Sequence, residues 1–82
     1  MRLSKHFINN WRRRVGNEPS VDMVMMIMNQ GVRIQQGRIF GRYHTLSYFW
    51  HPELKIVVSI DRFTDTAVSV LTAANMAQRQ KQ

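Results

Sequence analysis

The chain has no cysteine. That excludes disulfide bridges and thiolate metal sites, and with them the small secreted domains that are stapled rather than packed. Acid is scarce: five Asp and Glu stand against twelve Lys and Arg. Two prolines and four glycines leave few points where the backbone must turn. No apolar run comes near the ~18 residues that span a bilayer. The opening Met1-Arg2-Leu3-Ser4-Lys5-His6 gives way to polar residues before any apolar stretch, so no signal peptide is expected. A cytoplasmic protein with no membrane attachment is the default expectation.

What is present suffices for one small core. Eighty-two residues hold a single domain, and 44% hydrophobic content argues against disorder. A chain of this size buries only roughly 60% of its unfolded surface, so the margin is thin. The net charge of +7 is unevenly spread. Residues 1–17 carry Arg2, Lys5, Arg12, Arg13 and Arg14 with no acid, and residues 31–44 carry Arg33, Arg38 and Arg42 with none. The acids are Glu18, Asp22, Glu53, Asp61 and Asp65. Such asymmetry sets up a positive field over part of the surface, the footprint expected of a polyanion partner, nucleic acid and RNA before DNA. Charge that serves solubility alone is the competing explanation.

Helical spacing runs from Lys5 to Val15, with Ser4 as N-cap and Gly16 at the left-handed position beyond the end. Phe7, Ile8, Trp11 and Val15 fall within an arc of about 100°, a core-facing stripe. His6, Asn9, Asn10 and Arg13 lie opposite, flanked by Lys5 and Arg12. Ser20 opens a second helix over 21–30, which carries four of the six methionines and ends at Gly31. A Met-rich helix is either a soft core element or an adaptable binding surface, and the core role is the commoner. From Val32 the period changes to two. Strands are expected at 32–35, at Tyr43–Trp50 with Leu46, Tyr48 and Trp50 inward, at Lys55–Asp61 with Ile56, Val58 and Ile60 inward, and at Thr66–Thr72. The short connections imply antiparallel neighbours. The fold class is therefore α+β: two N-terminal helices on a three- to four-stranded antiparallel sheet, with residues 1–72 as the domain and 73–82 as a flexible or short-helical tail.

Chemistry narrows by exclusion. His44 and His51 stand seven residues apart on one expected strand, ~23 Å at ~3.3 Å per residue, too far to share an ion. No metal-ligand spacing is present, and no metal or other cofactor is expected. Gly37-Arg38-Ile39-Phe40-Gly41-Arg42 lacks the Gly-Lys-Ser/Thr ending of a phosphate loop. Ser47, Ser59 and Ser69 alternate along strands and read as strand surface. What remains suits RNA cleavage without metal, which needs a base, an acid and cations for the phosphorane charge. His6 and Arg13, with His44, are the candidate catalytic residues. Lys5, Arg12, Arg14, Arg38, Arg42 and Tyr43 are the candidate nucleic-acid contacts, and Tyr48 is a further donor or stacking aromatic. The bland alternative is a solvated basic face with incidental histidines.

Leu3-Ser4-Lys5-His6-Phe7 followed by Trp11-Arg12-Arg13-Arg14-Val15-Gly16 resembles the opening of small bacterial and phage domains of the BrnT-like group, within the wider RelE/ParE-like class. Those domains carry an early Ser/Thr-x-His and an arginine-rich turn about seven residues later. They end in a strand similar to Val68-Ser69-Val70-Leu71-Thr72. The resemblance implies an α+β toxin fold, His6 and Arg13 at a ribonuclease groove, and an antitoxin as partner. The Met-rich second helix and the strand region depart from that pattern, so the resemblance bears on fold more than on reaction.

Three readings stand at this point. The first is a basic RNA-binding domain that is also a metal-independent endoribonuclease if His6 and Arg13 act as above. The second is a non-enzymatic phage- or mobile-element-type binding protein that contacts a nucleic-acid complex or an acidic protein. The third is a module that homodimerises through the Met-rich helix.

Overall fold

The computed structural model describes residues 1–34 and 46–80. The elements in chain order are β1 (Arg2–Leu3), α1 (Lys5–Arg14), α2 (Val21–Gln30), β2 (Val32–Ile34), β3 (Leu46–His51), β4 (Ile56–Asp61), β5 (Thr66–Thr72) and α3 (Ala73–Gln80). The sheet runs in the order β1-β5-β4-β3-β2. Its four longer strands pair antiparallel, and β1 pairs parallel with β5. The fold is α+β, as expected, and the tail takes the helical form of the two expected for it, with one correction to the sheet. The sheet is five-stranded and mixed, because two residues before the first helix join the edge of β5. The tail is a helix from its first residue, begun by a reciprocal cap. Thr72 donates its N–H and its hydroxyl to Asn75 Oδ1 at 3.1 and 2.8 Å, and Asn75 N–H donates to Thr72 Oγ1 at 3.2 Å.

The helix ends follow from local chemistry. Ser4 Oγ accepts from Phe7 N–H at 3.0 Å, and Ser20 Oγ accepts from Met23 N–H at 3.1 Å. Each satisfies a donor that its helix cannot. Gly16 has φ +104° and turns the chain out of α1. The two four-residue turns of the meander each end on a residue in the left-handed region, Lys55 (φ 57°) and Asp65 (φ 52°).

One core cluster lies between the helices and the sheet. It contains Phe7, Trp11, Val24, Ile27, Phe49, Ile56, Val58, Ile60, Ala67 and Val70. Met23, Met26 and Met28 pack against it, so α2 is chiefly a core helix. The inward residue of β3 is Phe49, opposite Val58, which in turn faces Val70. The expectation that Leu46 and Trp50 enter this core is thus corrected: they lie with Tyr48 on the other face of the sheet. Leu-Ser-Tyr-Phe-Trp-His has large apolar groups on both faces, so alternation cannot choose between them. Tyr48, Val57 and Leu71 on that second face are buried as well.

The serines are not plain strand surface either. Ser47 and Ser59 are buried, and Ser59 Oγ lies 2.6 Å from Ser69 Oγ across the sheet. His51 is buried and structural. Its Nδ1 accepts from Leu54 N–H at 3.1 Å, which leaves Nε2 to donate to Gln30 Oε1 at 3.0 Å. The ring ties the end of α2 to the β3–β4 turn.

Gly31 is required for a different reason from Gly16. A Cβ there would lie 2.5 Å from the carbonyl oxygen of Ile27 and 2.7 Å from that of Trp50, both backbone atoms. Gly31→Ala is expected to destabilise the domain by about 1–3 kcal/mol or more through overpacking. Gly16→Ala is expected to cost about 1–2 kcal/mol through its backbone angle alone. Urea midpoints of the two asparagine variants separate the causes. Gly16→Asn recovers most of its loss, since asparagine tolerates left-handed angles, and Gly31→Asn recovers none.

Candidate nucleic-acid interface

α1 is held by an apolar underside. Phe7 and Trp11 are essentially fully buried, with ring centroids 5.7 Å apart. The Trp11 indole N–H donates to Asn17 Oδ1, which fixes the loop after the helix. At the other end Ser4 docks on β5, its N–H donating to Ala67 O at 3.1 Å and its hydroxyl to Val68 O at 3.3 Å. Val68 is the extra residue of a β-bulge, between the pairs Ser59↔Ser69 and Ile60↔Ala67. The helix therefore presents one fixed outer face, on which Lys5, His6, Asn9, Arg12 and Arg13 are exposed.

The structure brings His6 and Arg13 together through a residue expected to face solvent. Asn10 is only 3% exposed. Its side chain lies 2.8 Å from His6 Nε2 and accepts from the Arg13 guanidinium. The partners fix the protons. Arginine has only donors, so Asn10 turns Oδ1 to Arg13 and its amide N–H to His6. His6 Nε2 is then an acceptor, and the neutral ring carries its proton on Nδ1. A buried amide thus orients an imidazole and a guanidinium on one exposed surface.

Two of the expected nucleic-acid contacts are engaged elsewhere. Arg12 grips Glu18 with two bonds, Nε to Oε1 at 2.7 Å and a terminal nitrogen to Oε2 at 3.0 Å. Hydrogen bonding by Arg12, reinforced by its charge, holds the Glu18 carboxyl below the usual glutamate range. The same bond and charge raise the Arg12 guanidinium further above its ordinary value. Arg14 donates to Val70 O at 2.7 Å and so bolts the end of α1 to β5. Tyr48, a suggested stacking aromatic, is 5% exposed and belongs to the sheet. Arg38, Arg42, Tyr43 and His44 lie outside the described residues. Lys5, His6 and Arg13 are the expected site residues that are exposed on the outer face of α1 and that no acid pairs with among the described residues.

No group of three or more His, Asp or Glu side chains that could hold a metal ion occurs among the described residues. No described helix is long and apolar enough to cross a membrane. A groove of about 320 Å³ lies at the other end of α1, lined by Val15, Leu54, Ile56 and Ala73 with basic Arg14 and Lys55. Sequence reasoning found neither this groove nor the role of Asn10. The signal for Asn10 was its place on the shoulder of the helix, between His6 at i−4 and Arg13 at i+3. No family model, curated protein or solved structure matches the chain.

The Arg12–Glu18 pair has a pH signature. The folded carboxyl is depressed, so its contribution to stability is present above the unfolded glutamate range and is lost as pH falls through the folded value. An NMR titration of the Glu18 carboxyl carbon is expected to show a midpoint below that of an ordinary glutamate, and Arg12→Ala is expected to return it there.

Proposed function

We propose that this domain binds single-stranded RNA through the outer face of α1, with Lys5 and Arg13 on phosphates and His6 donating from Nδ1 to a phosphate oxygen. The observation that carries this reading is the buried Asn10 holding His6 and Arg13 in one orientation. A guanidinium can grip a phosphate with two parallel bonds. A pair already oriented loses less side-chain freedom on binding. The acid-free stretch over residues 1–17 supports the same partner class, as does the likeness of the Ser4–His6 and Trp11–Gly16 segments to RelE/ParE-like and BrnT-like domains. Cleavage belongs to this reading as its stronger form. With Nε2 occupied by Asn10 and the proton on Nδ1, neutral His6 can hydrogen-bond a phosphate oxygen but neither takes a proton nor releases one in this arrangement. Proton transfer would fall to another group, His44 first, with Arg38, Arg42 and Tyr43 as further contacts.

The test is binding of labelled single-stranded RNA, with a chelator present, between about 50 and 200 mM salt. Affinity is expected to fall with a log–log slope of about −0.7 per phosphate contacted, and Lys5→Ala and Arg13→Ala are each expected to make the slope shallower by about that amount. Glu18→Gln releases Arg12 beside the same face and is expected to tighten binding. Loss of cleavage in His6→Ala and Arg13→Ala, with the fold retained, would mark a ribonuclease, whereas binding without cleavage leaves a binding domain. Absence of binding at the low-salt end overturns the proposal.

The groove supports a second reading, a non-enzymatic module that docks an acidic protein such as an antitoxin. Its apolar walls and basic Arg14 and Lys55 complement an acidic segment with an apolar anchor.

A further inference from the structure

We propose that the β4–β5 turn is a second contact element for single-stranded RNA, in which Phe63 stacks on an unpaired base beside Arg62; this inference rests on the reading of α1 as an RNA-binding face. Phe63 is 83% exposed, the largest exposure among the large hydrophobic residues described and the one aromatic among those exposed. Single exposed apolar residues are ordinary on protein surfaces. This one differs in how its backbone is held. Asp61 Oδ1 accepts from Phe63 N–H at 2.9 Å and from Thr64 N–H at 3.4 Å. Thr66 Oγ1 donates to Thr64 O at 3.0 Å, and Asp65 takes the left-handed angle that closes the turn. Asp61, Thr64, Asp65 and Thr66 thus supply the turn chemistry, at a place where small and polar residues dominate. The Phe63 ring contributes nothing to that chemistry and stands in solvent on a fixed support.

The turn and the start of α1 share one end of the molecule. Arg2 pairs with Thr66, and its N–H donates to Asp65 O at 2.9 Å. Ser4 N–H donates to Ala67 O, and Lys5 and His6 follow directly. A strand of RNA crossing Lys5 and His6 therefore has Arg2, Arg62 and Phe63 along the same end. Asp65 pairs with the Met1 ammonium at 3.1 Å, and Asp61 stands next to Arg62 in the chain, so most of the positive charge at this end is offset and the contact is led by stacking rather than by charge. Every base has a π-face, so the contact is tolerant of sequence.

That distinction defines the experiment. Phe63→Ala is expected to weaken binding of a labelled oligoadenosine by about fivefold to a hundredfold, the usual range for loss of one base–aromatic stack, with the salt slope unchanged. Phe63→Trp is expected to keep wild-type affinity. An abasic oligonucleotide of the same length is expected to bind wild type and Phe63→Ala equally. An unchanged urea midpoint shows that the variants remain folded. Oligoadenosine binding that ignores Phe63→Ala overturns the stacking contact and leaves the α1 reading intact. A change in salt slope with Phe63→Ala likewise overturns it. If the wild-type protein binds no RNA, both fall.

Discussion

The docking of α1 on β5 is the constraint on which the rest depends. Ser4 fixes one end of the helix through the carbonyls of Ala67 and Val68, and Arg14 fixes the other through that of Val70. Between them Phe7 and Trp11 fill the core. A fully buried side chain of this kind stabilises by about 1.5–3 kcal/mol, a large share of the margin available to so small a domain. The two polar anchors add direction to that non-directional burial. They determine which residues of α1 look outward, and hence where the candidate interface lies.

The same docking revises what the charge means. A net charge of +7 suggests an extended cationic surface. In the first helix, however, Arg14 is a structural donor and Arg12 is neutralised by Glu18. The cationic face that remains is smaller and better ordered than composition implies, because Asn10 orients part of it. Recognition on such a face depends on geometry as much as on field strength.

Much of the fold was legible because it rests on local signals. Ser4, Ser20, Gly16 and Gly31 mark the helix ends in the sequence, and α2 and β5 begin and end at the residues expected. What escaped depends on distant neighbours. β1 is too short to show a period. The facing of β3 was hidden because both faces of the sheet are buried near its centre. Of the site, the proximity of His6 and Arg13 was visible in their spacing, but the burial of Asn10 was not, since it is set by what surrounds the helix. The pairing of Arg12 with Glu18 depends on the path of the chain after Gly16, which no periodicity encodes.

The outer edge of β5 carries one more consequence. β5 is seven residues long and rich in Val and Thr, the composition that recruits a further strand when its backbone groups are left open. Along this region the openings are closed piecemeal. Arg2 takes the carbonyl of Asp65, Ser4 those of Ala67 and Val68, Arg14 that of Val70, and Asn75 takes the N–H of Thr72. Two residues of strand and three side chains thus stand where another chain could have added itself. Arg14, which the charge pattern alone would assign to an outer cationic face, is instead one of the groups that cover the edge where a further strand could have added itself.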